Sequence, residues 1–311
     1  MRVLLGILWL LHFLPLPILG RIGESIGSLM FMIMGRRRHI ALTNLRLTMP
    51  ELDERERRRI AHRHFRAYAR SIVERSILWW APEERVRSLI QVEPAVPQAE
   101  MEAGPTILLC PHFVCLDVAG VASRVIPVCS MYVPQKNEAF DRLLRHGRER
   151  YGPVRLVTRK EGIKPILRAL RDGLPYFMLP DMDFGEKDAE FVPFFGVQAA
   201  TLTALGRIAA TTGAKVIPVI ATYLPNYQGW RVRFYPAWEN YPGDDMVEAT
   251  RRMNAFIEER VREAPEQYFW THKRFKTRPP GEPSLYDLPN QQQGSQQDSE
   301  QGRQPLEKQH T

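Results

Sequence analysis

The stretch TILLCPHFVCLDVAGVASRV (residues 106–125) joins a short apolar run to a second apolar segment through a proline and a histidine. The run at 106–110 is typical of a buried β-strand, Pro111 favours its end, and the residues from 113 onward can continue as a helix. His112 is therefore predicted on a strand-to-helix turn, and Asp117 in the first turns of the helix. Open α/β sheets place their functional sites at this carboxyl end of a strand.

His112 and Asp117 form a candidate general-base pair. Positions five apart on one helix point about 140° away from each other, so the two side chains can touch only if His112 precedes the helix. A carboxylate bonded to one ring nitrogen would fix the tautomer and raise the basicity of the other nitrogen. With 8 histidines and 35 acidic residues among 311, chance alone produces about one such spacing. An ordinary surface histidine is therefore the alternative interpretation of this motif.

Strand-like and helix-like segments alternate along the rest of the chain. Further strands are predicted at 125–133, 175–180, 215–223 and 230–238, and helices at 138–150, 161–171, 199–212 and 245–263. This alternation predicts an α/β fold in which helices flank a largely parallel central sheet.

The N-terminal residues 1–35 differ in composition from the rest. Two apolar stretches, VLLGILWLLHFLPLPILG (3–20) and IGSLMFMIMG (26–35), precede the basic cluster RRRH (36–39). They lack a small-x-small cleavage site, which favours an uncleaved membrane anchor with the arginines keeping the following residues on the cytoplasmic side. A buried core helix is the alternative, and whether an anchor would span the membrane or lie in its interface stays open.

Composition limits the remaining possibilities. The net charge of +8 favours an anionic partner, such as a membrane surface, an acidic protein or nucleic acid. The three cysteines lack metal-ligand spacing and are interpreted as reduced thiols.

Residues 40–90 are predicted to be helical, with an Arg-rich face that is either solvated or resting on anionic headgroups. Residues 286–311 are Gln-rich and polar and are predicted to be disordered, which leaves 36–285 as the main domain.

Two further clusters carry candidate site residues. In LPDMDFGEKDAEFVPFFGVQAAT (179–201), Asp181 and Asp183 follow a predicted strand and are candidates for a metal site, a substrate clamp or a loop-structuring pair. The segment QYFWTHKRFKTRPP (267–280) interleaves aromatic and basic residues. This pattern is typical of a nucleic-acid patch, or of a phosphate-binding, membrane-facing edge with Trp270 and Phe275 in the interface.

Taken together, five ordered blocks resemble the lipid A biosynthesis acyltransferases, the late lauroyl/myristoyl-type group of Gram-negative bacteria within the lysophospholipid acyltransferase-like superfamily. The blocks are the N-terminal anchor, PHFVCLD, TRKEGIKPILRAL, LPDMDFGEKDAEFVPFFGVQAAT and APEQYFWTHKRFKTRP. The resemblance covers most of residues 1–285. Family members commonly have Gln or His where this chain has Met182, and some carry Glu in place of Asp117.

The resemblance implies a glycerolipid acyltransferase-like fold and an enzyme of the bacterial inner membrane with its catalytic domain on the cytoplasmic side. It implies transfer of a fatty acyl group from acyl carrier protein to a hydroxyl on an acyl chain of the Kdo-bearing lipid A precursor. Neither a metal nor another cofactor is implied, and membrane lipids rather than nucleic acid would be the remaining partner. The hydroxyl attacks the thioester carbonyl directly, so no nucleophilic residue of the protein is required.

The resemblance also suggests roles for individual residues. His112 would be the general base, Asp117 its orienting partner, and Arg159 a stabiliser of the oxyanion. Asp181 and Asp183 would shape the acceptor site, although tying down their loop is an equal alternative. Contact with acidic substrates or the membrane surface is expected from Lys273, Arg274, Lys276 and Arg278.

Two other functions remain open from the sequence. A glycerolipid acyltransferase of the lysophosphatidate type would use the same His-x4-Asp chemistry, but RFKTRP and the PD-x-DFG loop argue against it. A non-catalytic, membrane-tethered protein that binds nucleic acid would explain the basic stretches alone, and its binding would weaken steeply with salt.

Overall fold

The computed structural model describes residues 2–94, 97–124 and 126–287, with side chains from residue 6 onward. Most of the predicted Gln-rich tail, residues 288–311, lies outside these ranges. The strands are β1 (Ile90–Glu93), β2 (Thr106–Leu109), β3 (Val128–Tyr132), β4 (Val154–Thr158), β5 (Tyr176–Met178), β6 (Ala189–Phe194), β7 (Val197–Leu202), β8 (Lys215–Tyr223) and β9 (Trp230–Phe234). The helices are α1 (Arg2–Leu11), α2 (Leu16–Ile33), α3 (Gly35–Thr48), α4 (Glu54–Trp80), α5 (Glu83–Ser88), α6 (Gln98–Glu102), α7 (Leu116–Ala122), α8 (Glu138–Glu149), α9 (Lys164–Arg171), α10 (Ala204–Thr212) and α11 (Met246–Glu263).

Among the described residues, seven strands form one sheet in the order β1-β9-β8-β2-β5-β3-β4. Neighbouring strands are parallel except for β8 and β9, which are antiparallel. Strand β2 is buried along its whole length because helices cover both faces of the sheet. Its residues Ile107 and Leu109 enter one apolar cluster, and Leu108 enters the other. The predicted α/β fold with a largely parallel central sheet is therefore confirmed.

One predicted element is wrong in part. Residues 199–202 were expected to begin a helix, but they lie in β7, which pairs with β6 as an antiparallel hairpin. The helix begins at Ala204, just after this hairpin. Three consecutive residues of β7, Ala199, Ala200 and Thr201, are buried, and the composition of so short a run does not separate a buried strand from the start of a helix.

The N-terminal segment forms two helices separated at Pro15. Helix α2 is the one described helix long and apolar enough to cross a membrane, and a third of it is buried in the protein. It packs along α4 through Gly20, Gly23 and Gly27. A Cβ atom on Gly23 would lie 2.4 Å from the Cα atom of Arg70, so only glycine permits this close approach.

The face of α2 that points away from α4 is exposed and mostly apolar, with Arg21 and Ser25 as its exposed polar residues. Its large apolar side chains are between 43% and 70% exposed and comprise Ile18, Ile26, Leu29, Met32 and Ile33. A helix that is a buried core element would not expose such a stripe. The membrane anchor remains a prediction, and this apolar face is the surface it would use.

We expect Gly23→Ala to destabilise the protein, because the added methyl group would overlap the α4 backbone. Overpacking of this kind lowers the free energy of unfolding by about 1–3 kcal/mol. Thermal denaturation of the detergent-purified protein measures the effect. Gly6→Ala in α1 is the matched control, because no atom lies within 4 Å of its added Cβ. Equal melting temperatures for the two variants would contradict the close packing of α2 on α4.

Candidate active site

His112 lies just beyond the carboxyl end of β2, on the turn that leads into α7, as predicted. A second segment, immediately after the short 3₁₀ helix Pro265–Gln267, holds this turn in place. The backbone N–H of Val114 donates to the carbonyl of Gln267 at 2.8 Å, and that of Phe269 donates to the carbonyl of His112 at 3.0 Å. The Phe269 ring also stacks beside the imidazole, with ring centres 6.4 Å apart.

The carboxylate that orients His112 belongs to Asp181. Its Oδ1 lies 2.7 Å from His112 Nδ1, and its Oδ2 accepts the backbone N–H of His112 at 2.9 Å. Asp181 follows β5, which is the sheet neighbour of β2, so the two loops meet at the same edge of the sheet. Because Asp181 accepts the Nδ1 proton, Nε2 is left as the basic nitrogen of the ring.

Asp181 stays ionised although it is only 1% exposed. Burial acts to raise its pKa, but the charge and hydrogen bonds of His112 and the positive charge of Arg274 outweigh burial. The pKa of Asp181 therefore lies below its ordinary value. A carboxylate held in this way supplies a fixed negative charge next to the imidazole.

The predicted contact between His112 and Asp117 is wrong. Asp117 does lie in the first turn of α7, but its Oδ2 accepts from Arg75 Nε of α4 at 2.5 Å. Burial acts to raise the pKa of Asp117, but the charges of Arg75 and Arg148 lower it below its ordinary value. The helix turns this carboxylate towards α4, and the carboxylate that binds a ring nitrogen of His112 is that of Asp181, at Nδ1.

Asp183 ties its loop to the segment after the HKRF sequence. Its carboxylate accepts the backbone N–H of Thr277 at 2.7 Å, the hydroxyl of Thr277 at 2.8 Å and the N–H of Gly185 at 3.0 Å. The Asp183 N–H in turn donates to His272 Nε2 at 3.1 Å. These contacts favour the loop-structuring interpretation for Asp183.

The expectation for Arg274 is wrong, because this residue is 2% exposed. Its guanidinium donates to the carbonyl of Ala200 at 2.9 Å and to the hydroxyl of Thr201 at 2.6 Å, which anchors strand β7. Trp270 and Phe275 are also buried, at 1% and 0% exposure, and neither reaches a membrane surface. Trp270, Arg274 and Phe275 therefore pack in the protein core rather than forming a surface patch.

The other basic residues of this segment differ from one another. Arg278 donates to the carbonyl of Gln198 at 2.6 Å. Lys273 lies over the ring of Tyr286, with Nζ 5.2 Å from the ring centre. The side chain of Lys276 is 56% exposed. Lys276 is thus the most accessible of the four residues predicted to contact an anion.

A cavity of about 1040 Å³ opens beside His112, and Asp117 and Arg159 also line it. Its volume is at the upper end of the range for small-molecule sites, which run to about 1,000 Å³. Arg159 is exposed and lies over the ring of Phe184, with Cζ 4.8 Å from the ring centre. The structure therefore brings His112, Asp117 and Arg159 to one cavity, whereas Asp183 lies outside its lining.

Sequence reasoning missed two arginines at this site. Arg75 holds Asp117, and Arg148 of α8 lines the cavity without a carboxylate at ion-pair distance among the described residues. Both lie on helices with many other arginines, so no pattern in the sequence distinguishes them. Phe269, whose ring lies beside His112, belongs to the segment 267–280, and its sequence did not predict this contact.

Comparison with known proteins identifies related sequences over most of the chain. The profile of the family described as bacterial lipid A biosynthesis acyltransferase matches residues 2–277. The lipid A biosynthesis palmitoleoyltransferase of Escherichia coli is 34% identical over 286 residues, covering 91% of this chain and 92% of that protein. The lipid A biosynthesis lauroyltransferase of the same organism is 33% identical over 286 residues, covering 91% and 93%. A solved structure, the 1-acyl-sn-glycerophosphate acyltransferase of Thermotoga maritima, is 12% identical with a TM-score of 0.39 and covers 78% of this chain and 97% of that chain.

We expect His272 to make the stability of the protein depend on pH. Burial lowers its pKa to about 4 from the ordinary 6.5. Between these values the unfolded chain binds a proton that the folded protein excludes, so stability falls as the pH drops. The slope per histidine reaches about 1.4 kcal/mol per pH unit.

Melting temperatures of wild type and His272→Gln between pH 7 and about 4 measure this effect. The variant is expected to show a shallower decline. His146→Gln, at an exposed position of α8, is the control and is expected to follow wild type. Parallel curves for wild type and His272→Gln would show that His272 does not titrate in this way.

Proposed function

The chain belongs to the bacterial lipid A biosynthesis acyltransferases, and from this premise we propose that it performs a secondary acylation. The proposed donor is an acyl chain on acyl carrier protein, and the proposed acceptor is a hydroxyl on an acyl chain of the Kdo-bearing lipid A precursor. The observation that carries the mechanism is the 2.7 Å contact between His112 Nδ1 and Asp181 Oδ1 at the wall of the large cavity.

In the proposed reaction, His112 Nε2 removes the proton from the acceptor hydroxyl while Asp181 holds the proton on Nδ1. The hydroxyl oxygen attacks the thioester carbonyl carbon and forms a tetrahedral intermediate with a negatively charged oxygen. When the carbon–sulfur bond breaks, the protonated His112 returns the proton to the departing sulfur. An ester and a free thiol result, and no covalent enzyme intermediate is required.

Arg159 is the proposed stabiliser of the oxyanion. It lines the same cavity as His112 and has no carboxylate at ion-pair distance among the described residues, so its charge is available to a substrate. Arg148 shares these properties on the α8 side of the cavity. Asp117 remains part of the proposed site, where its carboxylate binds Arg75 next to the cavity. The role of orienting His112, first expected of Asp117, is assigned to Asp181.

The proposed location is the cytoplasmic side of the bacterial inner membrane. The exposed apolar face of α2 would contact lipid, and the basic cluster at residues 36–39 would lie next to the headgroups. A net charge of +8 favours both an acidic carrier protein and a phosphorylated lipid. Lys273 and Lys276 stay candidates for such contacts.

Substitution at the proposed base pair tests the mechanism. We expect His112→Ala to remove most of the transfer activity and Asp181→Asn to lower kcat by about 10²–10⁴-fold, because the imidazole loses its fixed tautomer. The assay measures transfer from acyl carrier protein to the lipid A precursor by mass spectrometry of the lipid. Asp172→Asn, an exposed carboxylate away from the cavity, is the matched control and is expected to keep its activity.

Different outcomes separate the possible failures. An unmodified lipid A precursor with wild-type protein would overturn the proposed function, and acylation of lysophosphatidate instead would favour the glycerolipid alternative. Full activity of His112→Ala with salt-sensitive nucleic-acid binding would favour the non-catalytic alternative. Full activity of Asp181→Asn alone would overturn the orienting role of Asp181 and leave the function intact.

A further inference from the structure

The outer face of helix α9 carries only positive charge. Lys164, Arg168 and Arg171 are exposed along the helix, and Lys160 is exposed in the turn that leads into it. The spacing of positions 164, 168 and 171 places their side chains on one side of a helix. The other side of α9 is buried against β3, β5 and α10. These four basic residues are called the cationic face of α9.

The protein supplies no anionic partner for the cationic face of α9. Within the described part of the chain, none of its four side chains has a carboxylate at ion-pair distance. The two acidic residues nearest in the sequence bind other groups. Glu161 accepts the backbone N–H and the hydroxyl of Thr158, each at 2.7 Å. The carboxylate of Asp172 lies 3.9 Å from the guanidinium of Arg155.

Helix α8 shows how exposed arginines are paired elsewhere in the protein. Its Arg142 lies 3.5 Å from Glu138 of the same helix. Its Arg145 lies 3.7 Å from Glu149, also of the same helix. Helix α9 has no acidic residue from Lys164 to Arg171, so its charges cannot be neutralised in this way.

The position of these charges is unfavourable for the helix itself. Lys164 is the first residue of α9, where the positive end of the helix dipole disfavours a cation. Lys164 and Arg168 are four residues apart, and like charges at this spacing destabilise a helix. Local stability therefore does not explain the cationic face of α9, whereas an anionic partner bound to it would offset both effects.

The cationic face of α9 is continuous with the cavity beside His112. Ile163, between Lys160 and Lys164, is 40% exposed and also lines the cavity. Leu167, one turn further along the helix, lines the cavity as well. A partner that binds the cationic face would therefore lie at the opening of the cavity, where a group that it carries can enter.

The direction of α9 favours a folded protein over the membrane as this partner. Helix α2, which has the exposed apolar face, rests on the turn Pro225–Tyr227 after β8, at the same sheet edge as His112. Helix α9 packs on β3, which is three strands or about 14 Å from β8. From Lys164 to Arg171 it runs about 10 Å from that edge towards the opposite one. A flat bilayer in contact with α2 would meet at most the start of this face, whereas a protein can cover all of it.

We propose that the cationic face of α9 is the docking surface for the acidic carrier protein that brings the acyl donor. This inference rests on the proposed function. The carboxylates of the carrier would bind Lys160, Lys164, Arg168 and Arg171, and the thioester on its flexible arm would enter the cavity past Ile163. Charge complementarity of this kind mainly accelerates association and selects the partner.

The double variant Lys164→Glu/Arg168→Glu tests the docking surface. The assay varies the concentration of acyl carrier protein and, separately, that of acyl-pantetheine, which has the same thioester but no protein. We expect the KM for acyl carrier protein to rise by at least about tenfold, because reversed charges repel an acidic partner. The kcat/KM for acyl-pantetheine is expected to change by less than about twofold. Added salt is expected to raise the KM of wild type and to affect the variant less.

Two controls separate docking from general damage. Arg142→Glu/Arg145→Glu on α8 changes the net charge by the same amount at exposed positions and is expected to keep the wild-type KM. Lys164→Glu places an acidic residue in the first turn of α9, so the melting temperature is expected to stay at or above that of wild type. An unchanged KM for acyl carrier protein, or an equal loss with acyl-pantetheine, would overturn the proposal. An equal loss in the α8 variant would also overturn it.

A lipid partner gives a different result in two further measurements. Flotation with phosphatidylglycerol vesicles is expected to show equal membrane binding by wild type and by Lys164→Glu/Arg168→Glu. Loss of vesicle binding with an unchanged KM for acyl carrier protein would assign the face to lipid headgroups and overturn the proposal. A rise confined to the KM of the lipid acceptor would overturn it in the same way.

Failure of the proposed function is recognised separately, because wild-type protein then transfers no acyl chain from any donor. Fluorescence anisotropy of labelled acyl carrier protein, measured without an acceptor, still tests the surface in that case. Binding to Lys164→Glu/Arg168→Glu that is at least about tenfold weaker than to wild type would support the docking surface. Equal binding by the two proteins would overturn it.

Discussion

The buried carboxylate of Asp181 is the constraint on which the site depends. A buried charge is costly unless it is paired and hydrogen-bonded, and here one residue, His112, supplies both the backbone N–H and the ring nitrogen. The positive charge of Arg274 completes the compensation from within the core. Displacing either loop would leave the carboxylate without partners, so the geometry of the base and the stability of the sheet edge are maintained together.

The same requirement explains the segment that follows α11. It pairs with the His112 turn through backbone hydrogen bonds, and it ends on Thr277, which binds Asp183. Between these contacts Trp270, Arg274 and Phe275 fill the core. The composition of this stretch indicates a surface patch, but the stretch instead connects the loops that carry His112 and Asp181 with the β6–β7 hairpin.

Local pattern was enough to predict the parallel sheet, the His112 turn and the start of α7, because each depends on a few consecutive residues. The partner of His112 could not be predicted in this way. Strands β2 and β5 are neighbours in the sheet, although 66 residues lie between Leu109 at the end of β2 and Tyr176 at the start of β5. Asp117 was predicted as the partner of His112 because it is close in the sequence. Asp181 is the actual partner because β2 and β5, which precede His112 and Asp181, are neighbours in the sheet. The burial of Arg274 was missed for a related reason, since its acceptors are backbone groups of β7 that no sequence pattern reveals.

Helix α4 joins two surfaces that would otherwise be independent. Gly23 of α2 rests on Arg70, and Arg75 of the same helix binds Asp117 at the cavity. Each residue added to or removed from a helix rotates everything beyond it by about 100°, so a change of length between positions 70 and 75 would break one of these two contacts. The number of residues between Arg70 and Arg75 therefore fixes the angle between the apolar outer face of α2 and the cavity beside His112.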